Sequence, residues 1–453
     1  APVFMTLFAV LFLGKRASPA RWVAVALGFA GVLAVVQPAG DGFPHCSGAP
    51  IDVFVMSSPS FRSLFPLSAI SAGIVAVLIG FGSTIVLVVQ AHQAMGASQL
   101  QIASGATALC VGMAIGGAAL SLWLRMPVVL AWSSASAALL ASSEIHPGYP
   151  AAIGAFMAAA ALMLLVGLVP LFGRLAARIP SAIASAMLAG VLLPFCLALF
   201  KVMERDLVLG AALLTVFILA RIRFASFALL IVLAAFCLIV AVRGQGGAIA
   251  EGPHFGTLHF TAPDFDLQAL AGLALPIFLV TLVSQNLPGF AILRVSGYEP
   301  PARPILIGSS LAWLAFAPLG AFTINLSSLT AAICTGPEAH PDKTRRYGAA
   351  LVYAAGYVVL ALFTAPIVNL FATLPADTVA AIAGVALLLP LSNALGGIFA
   401  EPGPREPALI TFAATASGFA LFGVGSAFWG LIAGFLALGA QRLLSRRSPH
   451  PSA

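Results

Sequence analysis

Residues 127–142 have the sequence PVVLAWSSASAALLAS, and residues 318–336 have the sequence PLGAFTINLSSLTAAICTG. Each stretch begins with proline and a short extended run, becomes polar at a cluster of Ser, Thr or Asn, and continues as a short apolar helix. Each helical part has roughly 10 residues, whereas a membrane crossing needs roughly 20. The stretches start about 190 residues apart. Interrupted hydrophobic segments at matching places in two halves indicate the binding site of a transporter.

The composition is that of an integral membrane protein. Hydrophobic residues make up 61% of the chain and charged residues 8%, whereas soluble domains carry about 25% charged residues. The net charge of +7 comes from basic residues scattered at the ends of apolar runs, a pattern that favours membrane orientation over nucleic-acid binding. None of the five cysteines belongs to a CxxC motif, so we expect no disulfide framework, metal site or cofactor.

The apolar runs predict an all-α polytopic membrane protein with about fourteen transmembrane segments in a 7+7 inverted repeat. Residues 179–200 resemble residues 374–395, and their prolines match in spacing, Pro180 with Pro375 and Pro194 with Pro390. An odd number of segments in each half inverts the halves relative to each other. The third and tenth segments are the interrupted ones. The segments lie near 68–92, 99–124, 127–143, 150–172, 180–202, 206–220, 224–242, 267–292, 304–318, 319–336, 347–372, 377–395, 407–423 and 425–441.

Basic residues orient this arrangement. If the first segment begins in the cytoplasm, fifteen Lys or Arg residues lie at inside ends and three, Lys201, Arg205 and Arg243, lie at outside ends, as the positive-inside rule requires. We therefore predict a first repeat at 61–243, an extracytoplasmic loop at 244–266, a second repeat at 267–445 and a cytoplasmic tail at 446–453. The membrane is predicted to be the bacterial inner membrane.

The first 60 residues do not belong to the repeat. Residues 1–37 resemble the closing helical hairpin of the drug/metabolite transporter (EamA-like) superfamily, and residues 38–60 form a polar linker. The hairpin is too short to transport alone, and its charges follow its apolar run, unlike those of a signal peptide. We expect either a fusion or a start placed too far upstream of Met56.

Four stretches resemble the benzoate:proton symporter (BenE) family. They are GFGSTIVLVVQAHQAMGAS at 80–98, AWSSAS at 131–136, SQNLPGFAILRVSGY at 284–298 and TINLSSLTAAICTG at 323–336. The resemblance covers about residues 60–445, and that family is similar to the uracil permease and sulfate transporter fold. It implies a core domain of segments 1–4 and 8–11 that slides, as an elevator, against a gate domain of segments 5–7 and 12–14. Proton symport is implied by this resemblance alone.

Polar residues at the two interruptions are the first candidates for substrate binding. Two half-helices whose N-termini meet in the membrane present unpaired N–H groups and two positive dipole ends, which attract a carboxylate. In a helix start the plain role of such side chains is capping, and that alternative stays open for each of them. The candidates are Ser133, Ser134, Ser136, Asn325, Ser327 and Ser328.

Segments 1 and 8 offer a second set. Gly80, Gly82 and Ser83 permit close backbone approach, whereas Gln285 and Asn286 are amides that need partners in hydrocarbon. Interhelical hydrogen bonding is the alternative role for both amides. In uracil-permease relatives, as the resemblance implies, carboxylates on segments 8 and 10 bind a neutral base. Here those segments carry Gln285, Asn286 and Asn325, and a site without an acidic group suits an anion.

Aromatic contacts and proton coupling are less specified by the sequence. Phe81, Trp132, Phe290 and Phe322 lie near the polar positions and are candidates to contact a phenyl ring, although ordinary packing is the commoner role.

His92 lies near the outer end of the first segment and is the candidate for proton coupling, with a structural role as the alternative. Asp377 is expected to cap the twelfth segment.

The sequence thus predicts a secondary active transporter that imports benzoate or a similar small aromatic carboxylate. The partners expected are the carboxylate, a proton, the lipid bilayer and a second copy in a homodimer. A transporter of another organic or inorganic anion, or of a nucleobase on the same fold, is the alternative. An enzyme is not expected, since no HExxH or GxSxG motif and no pair of intramembrane carboxylates is present.

Overall fold

The computed structural model describes residues 64–143, 147–169, 180–223, 228–244, 255–327, 329–372, 374–399, 405–419, 421 and 425–445. The predicted hairpin at 1–37, the linker at 38–60 and the tail at 446–453 lie outside the described residues. Ser328 and the side chain of Ser83 also lie outside them.

Nearly all regular structure is helical. The first half contains α1 Leu67–Ala94, α2 Gln99–Leu124, β1 Leu130–Ala131, α3 Ser134–Ala141, α4 Tyr149–Leu168, α5 Ser181–Arg205, α6 Leu207–Arg223 and α7 Ala228–Val242. The second half contains α8 Leu267–Val295, α9 Ala302–Leu319, β2 Asn325–Leu326, α10 Leu329–Thr335, α11 Tyr347–Ala361, α12 Thr364–Ala372, α13 Ala376–Ile398, α14 Arg405–Ala416 and α15 Ser426–Ser445.

Local sequence explains several helix boundaries. Ser98 and Gln101 form a reciprocal capping box at the start of α2. Pro180 and Pro375 occupy the N-cap positions of α5 and α13, where the missing N–H group costs nothing. Each of these helices contains one internal proline, as the matched spacing in the sequence predicts.

Two features of the helices are absent from the sequence prediction. The predicted segment 347–372 is bent by 60° between α11 and α12. The amide of Gly256 donates to the carbonyl of Leu362 (2.9 Å), so a carbonyl at the bend finds its partner outside the helix. Helix α8 contains two π-helical stretches, Leu270–Ala274 and Leu282–Asn286.

The described residues contain seven helices long and apolar enough to cross a membrane, or eight if the bent pair counts as one span. The other predicted segments correspond to shorter helices, among them the two half-helices α3 and α10. The protein is therefore a multi-pass helical membrane protein, and the count of fourteen stays a prediction.

The helices pack mainly within two groups. Helices α1–α4 pack with α8–α12, here called the core group, while α5–α7 pack with α13–α15, here called the gate group. Within the gate group, α13 runs against α5, and α14 packs on both α5 and α15. The groups meet where α1, α3 and α8 contact α5, α7, α13 and α15.

Ion pairs tie together helix ends of the gate group. Arg205, at the end of α5, contacts Asp377 (3.2 Å), and Arg243, after α7, makes two hydrogen bonds to Asp206. The Arg243 guanidinium lowers the pKa of the Asp206 carboxyl. The expectation that Asp377 caps its helix is wrong, because α13 has no side-chain cap and the Asp377 carboxylate accepts from Arg205 instead.

Candidate substrate-binding site

The two interrupted stretches meet in a short antiparallel strand pair. Leu130 lies opposite Leu326 and Ala131 opposite Asn325, and the amide of Ser327 donates to the carbonyl of Val129 (2.8 Å). Helix α3 begins three residues after β1, and α10 begins three residues after β2. The pairing, here called the strand crossing, therefore holds the N-terminal ends of both half-helices in one place.

The serines of the first interruption fix the start of α3. Ser133 is the N-cap, and its hydroxyl accepts from the amide of Ser136 (3.0 Å). The Ser133 amide donates to the Thr323 hydroxyl (2.8 Å), which joins this cap to the other interrupted stretch. The hydroxyl of Ser136 lies 3.0 Å from that of Thr281 on α8. Ser134 is half-buried at the first position of the helix.

The second interruption is capped differently from our expectation. Asn325 was predicted at the first turn of the second half-helix, but it lies in β2, four residues before α10 begins. Ser327 does the capping: its hydroxyl accepts from the amide of Thr330 (3.2 Å) and lies 2.6 Å from the Thr330 hydroxyl. The pairing of β2 with β1 keeps Asn325 and Leu326 extended, so α10 begins only after the first residues of the polar cluster.

Asn286 holds the crossing to α8. Its side-chain oxygen accepts from the amide of Leu326 (3.0 Å), and its nitrogen lies 3.5 Å from the sulfur of Met163. Asn286 is fully buried, and both contacts join α8 to other elements. These are the contacts expected of the alternative role, hydrogen bonding between elements of the fold. Gln285, the neighbouring amide, is half-buried.

Asn325 has an unmatched side-chain atom. Its nitrogen donates to the carbonyl of Leu326 (3.2 Å), while its Oδ1 has no hydrogen-bond partner although the residue is only 1% exposed. A buried polar atom without a partner carries a desolvation cost. Only a group that donates a hydrogen bond can satisfy this oxygen, whereas a carboxylate would accept from the second N–H of the same amide.

An aromatic cluster packs beside the crossing. The ring of Trp132 lies edge-on to Phe81 (5.9 Å between centroids) and Tyr357 (5.7 Å), and its indole nitrogen donates to the Thr84 hydroxyl (2.7 Å). The rings of Tyr353 and Tyr357 are tilted by 55° to each other, with their centroids 4.7 Å apart. These contacts bring Phe81 and Trp132 together as candidate ring contacts, in the relative edge-on geometry that aromatic pairs prefer.

The other two aromatic candidates lie elsewhere. Phe322 is buried against His92 (5.7 Å) and Phe156 (6.2 Å). Phe290 is buried on α8 beyond the second π stretch. The structure therefore does not gather the four aromatic candidates in one cluster.

His92 lies inside the protein, 1% exposed. Its Nδ1 lies 2.7 Å from the carbonyl of Val88 and its Nε2 lies 3.0 Å from the carbonyl of Gly320. Gly105 permits this position, because a Cβ there would lie 2.1 Å from Nε2. Only a doubly protonated ring donates from both nitrogens, so the geometry is compatible with the coupling role as well as with the structural one.

Several residues of the site escaped the sequence analysis. Thr281 and Thr323 are flanked by apolar residues, and their hydrogen-bond partners, Ser136 and Ser133, are distant in sequence. The tyrosines lie on α11, where Tyr353 donates to the carbonyl of Leu130 in β1 (3.0 Å). At Gly80 a Cβ would lie 2.8 Å from the Tyr357 hydroxyl, which explains the glycine. The missed residues are Thr84, Thr281, Thr323, Thr330, Tyr353 and Tyr357.

The chemistry available at the crossing is that of hydrogen-bond donation and dipoles. The first N–H groups of a helix, here at Ser134 and Ala135, lie beyond the reach of any carbonyl within that helix. Two such ends together attract negative charge. Among the described residues no group of three His, Cys, Asp or Glu side chains is arranged to hold a metal ion.

Comparison with known proteins gives relatives along most of the chain. The sequence profile described as "Benzoate membrane transport protein" matches residues 63–440. The inner membrane protein YdcO of Escherichia coli (strain K12) is 37% identical over 388 residues, which are 84% of this chain and 98% of that one. The benzoate membrane transport protein of Acinetobacter baylyi is 37% identical over 371 residues, 82% of this chain and 94% of that one.

The fold has a solved counterpart. The transmembrane domain of the cyanobacterial bicarbonate transporter BicA superposes with a TM-score of 0.55 at 15% identity, covering 83% of this chain and 98% of that domain. At this identity the likeness establishes the fold alone.

Proposed function

Because this chain belongs to the benzoate membrane transport protein family, whose members are membrane transporters and not enzymes, we propose that it imports benzoate or a similar small aromatic carboxylate across the bacterial inner membrane. Transport is secondary active and coupled to protons. The observation that carries the proposal is the strand crossing, which places the positive ends of α3 and α10 together. No Asp or Glu lies in either strand or either half-helix, so this place suits an anion better than a neutral base.

The substrate carboxylate binds at the crossing. The proposed contacts are the N–H groups of the first turns together with side chains that line or support them. Trp132 and Phe81 contact the ring, because they lie beside the N-terminal end of α3. The residues proposed to line or support the site are Ser133, Ser134, Ser136, Gln285, Asn286, Asn325, Ser327, Ser328, Gly82 and Ser83, with Asn286 in a supporting role and Phe290 and Phe322 as outer aromatic candidates.

Transport proceeds by an elevator movement in which the core group slides along the gate group. The matched prolines of α5 and α13 and the pairing of β1 with β2 support two inverted seven-segment repeats, 61–243 and 267–445. The C-terminus is cytoplasmic by the distribution of Lys and Arg, and the protein forms a homodimer.

Two groups are available to carry the coupled proton. His92 lies between two carbonyl oxygens that a protonated ring satisfies, and the substrate has a carboxyl group of its own. If His92→Ala leaves coupling intact, the histidine is structural.

Uptake into proteoliposomes tests the function. Labelled benzoate is offered with competing benzoate, an aliphatic acid, sulfate or uracil, with and without a proton uncoupler. We expect competition by aromatic acids and collapse of accumulation with the uncoupler. Block by uracil or sulfate but not by excess benzoate would favour the alternative, a transporter of another anion or of a nucleobase.

A further inference from the structure

The indole of Trp132 is tied to α1 through Thr84. Trp132 lies between β1 and the N-cap residue of α3, beside the strand crossing. Its nitrogen donates to the Thr84 hydroxyl (2.7 Å), and that hydroxyl donates in turn to the carbonyl of Gly80, one turn earlier on α1 (2.8 Å). An indole nitrogen can only donate, and a threonine hydroxyl has a single proton. The direction of both hydrogen bonds is therefore fixed.

Neighbouring rings support Trp132 from the side of α11. The Tyr357 ring lies edge-on to both Trp132 and Phe81 and is the most deeply buried of the three. A Cβ at Gly80 would lie 2.8 Å from the Tyr357 hydroxyl, so α1 approaches α11 closely at the residue whose carbonyl receives the Thr84 proton. The packing limits where the indole can lie, and the hydrogen bond selects which of its edges points to α1.

The Thr84 hydroxyl decides what Trp132 can offer to a ligand. Because its N–H group is occupied, the indole has no donor left for a carboxylate and presents only its ring. Aromatic rings attract each other through a positive edge and a negative face, and a saturated ring has no such charge distribution. An indole held in this way distinguishes ligands by the type of ring, while the N–H groups at the start of α3 attract the carboxylate.

We propose that Thr84 is a positioning residue that makes the site selective for aromatic over aliphatic carboxylates. It acts through Trp132 and does not itself contact the substrate. Without the hydroxyl the buried indole N–H has no acceptor, which costs free energy. The ring then turns toward another acceptor, and its N–H group becomes available to any carboxylate. This inference rests on the proposed function and deepens it, since it names a residue that sets the substrate class.

A pair of acids that differ only in the type of ring tests the inference. Purified full-length protein is titrated calorimetrically with benzoate and with cyclohexanecarboxylate, which carries the same carboxylate on a saturated ring. The part of an aromatic contact that exceeds area burial corresponds to about 2- to 12-fold in Kd. We expect the wild-type protein to prefer benzoate by this factor, and Thr84→Val to bind the two acids about equally.

Three further variants separate positioning from other roles. Thr84→Ser keeps a hydroxyl that accepts from the indole, and it should retain the wild-type Kd ratio. Thr107→Val removes a buried hydroxyl on α2 that lies 2.6 Å from the Thr364 hydroxyl, and it should lower the melting temperature without changing the ratio. In a Trp132→Phe background, which has no indole N–H, adding Thr84→Val should not change the ratio further. Melting temperatures establish that each variant is folded.

The indole N–H group is also observed directly by nuclear magnetic resonance of the ligand-free protein with isotope-labelled tryptophan. The signal that Trp132→Phe removes belongs to Trp132. In Thr84→Val this signal should shift and should exchange faster with solvent, whereas in Thr84→Ser it should stay near its wild-type position.

Three results would overturn the inference. They are a Kd ratio that Thr84→Val leaves unchanged, an equal effect of Thr84→Val with and without Trp132→Phe, which would mean that Thr84 contacts the substrate itself, and an unshifted indole signal. Uptake is measured in parallel. Benzoate uptake with an unchanged Kd ratio refutes the role of Thr84 and leaves the proposed function standing. Absence of benzoate uptake together with a shifted indole signal refutes the function and leaves the positioning of Trp132 standing.

Discussion

Single polar residues near the crossing differ in whether their hydrogen bonds are complete. Asn286 is fully buried and its oxygen holds the amide of Leu326, whereas the Oδ1 of Asn325 has no partner. A completed pair stabilises the folded protein, while an unmatched buried acceptor costs free energy and is not satisfied by a carboxylate, which has no proton to donate. The Asn286 amide oxygen thus serves structure, whereas at Asn325 the group that can bind a carboxylate is the second N–H of the side-chain amide.

This difference gives a prediction for Asn325→Ala. The side-chain amide nitrogen of Asn325 carries two N–H groups, of which one donates to the carbonyl of Leu326 and the other can donate to the substrate carboxylate. A hydrogen bond to a charged group contributes about 1.5 to 3 kcal/mol, so benzoate affinity should fall about 10- to 150-fold. The melting temperature of the ligand-free protein should change little, because the substitution also removes an unmatched buried atom. Calorimetric titration and thermal melting on the same preparations measure both quantities.

Asn286→Ala is the matched control, and it should lower the melting temperature because it leaves the Leu326 amide without its acceptor. If Asn325→Ala instead lowers the melting temperature and leaves affinity unchanged, Asn325 has no part in binding.

For single residues, the sequence predicted which residues lie near the two interruptions better than it predicted what each of them does there. The serines at 133 and 327 were expected at helix starts and are found capping there. The placement of Asn325 was wrong by four residues, because strand pairing between distant stretches is not visible in either stretch alone. Tyr353 and Tyr357 were missed for the same reason, since their contacts are with α1 and β1.

At the scale of elements, the half-helices were predictable because proline and polar clusters interrupt otherwise apolar runs. The bend between α11 and α12 was not, because its Leu362 carbonyl bonds to Gly256, over 100 residues earlier in the chain. Tertiary hydrogen bonds of this kind override local helix preference. The short α3, with only 8 residues, must depend strongly on its cap and its neighbours.

The cap of α3 can be tested directly. Ser133→Ala should reduce stability by about 0.5 to 2 kcal/mol, because the Ser136 amide loses its acceptor. Ser133→Asn should restore most of that loss, since Asn caps as well as Ser. Thermal melting reports the effect, with Ser142→Ala at the other end of the helix as the control. An unchanged melting temperature together with weaker benzoate binding would show that Ser133 contacts the ligand instead of serving as a cap.

For the whole molecule, the family match begins at residue 63, close to the predicted start of the first repeat. We therefore expect that deleting residues 1–55, so that translation begins at Met56, leaves membrane insertion and benzoate uptake unchanged. Yield in the membrane fraction and initial uptake rate measure this. Loss of folded protein on truncation would show that the predicted hairpin packs on the transporter.

The elevator proposal requires the core and gate groups to slide past each other. Gly82 and Val86 of α1 line a gap of only about 10 Å³ with Val232 of α7 and Ile382 of α13, at the place where α1 packs against α7 and α13. In a background with the five native cysteines replaced, Val86→Cys with Val232→Cys should form a disulfide on oxidation. Uptake should then stop and should return on reduction, because the link fixes α1 to α7.

A link within the core group provides the control. The hydroxyls of Thr107 on α2 and Thr364 on α12 lie 2.6 Å apart, so cysteines at these positions can approach the S–S distance of about 2.05 Å. Both helices move together in an elevator, and this disulfide should leave uptake intact. Full uptake by protein in which the Val86→Cys and Val232→Cys pair is completely oxidised would rule out sliding at this contact, since α1 cannot translate along α7 while covalently joined to it.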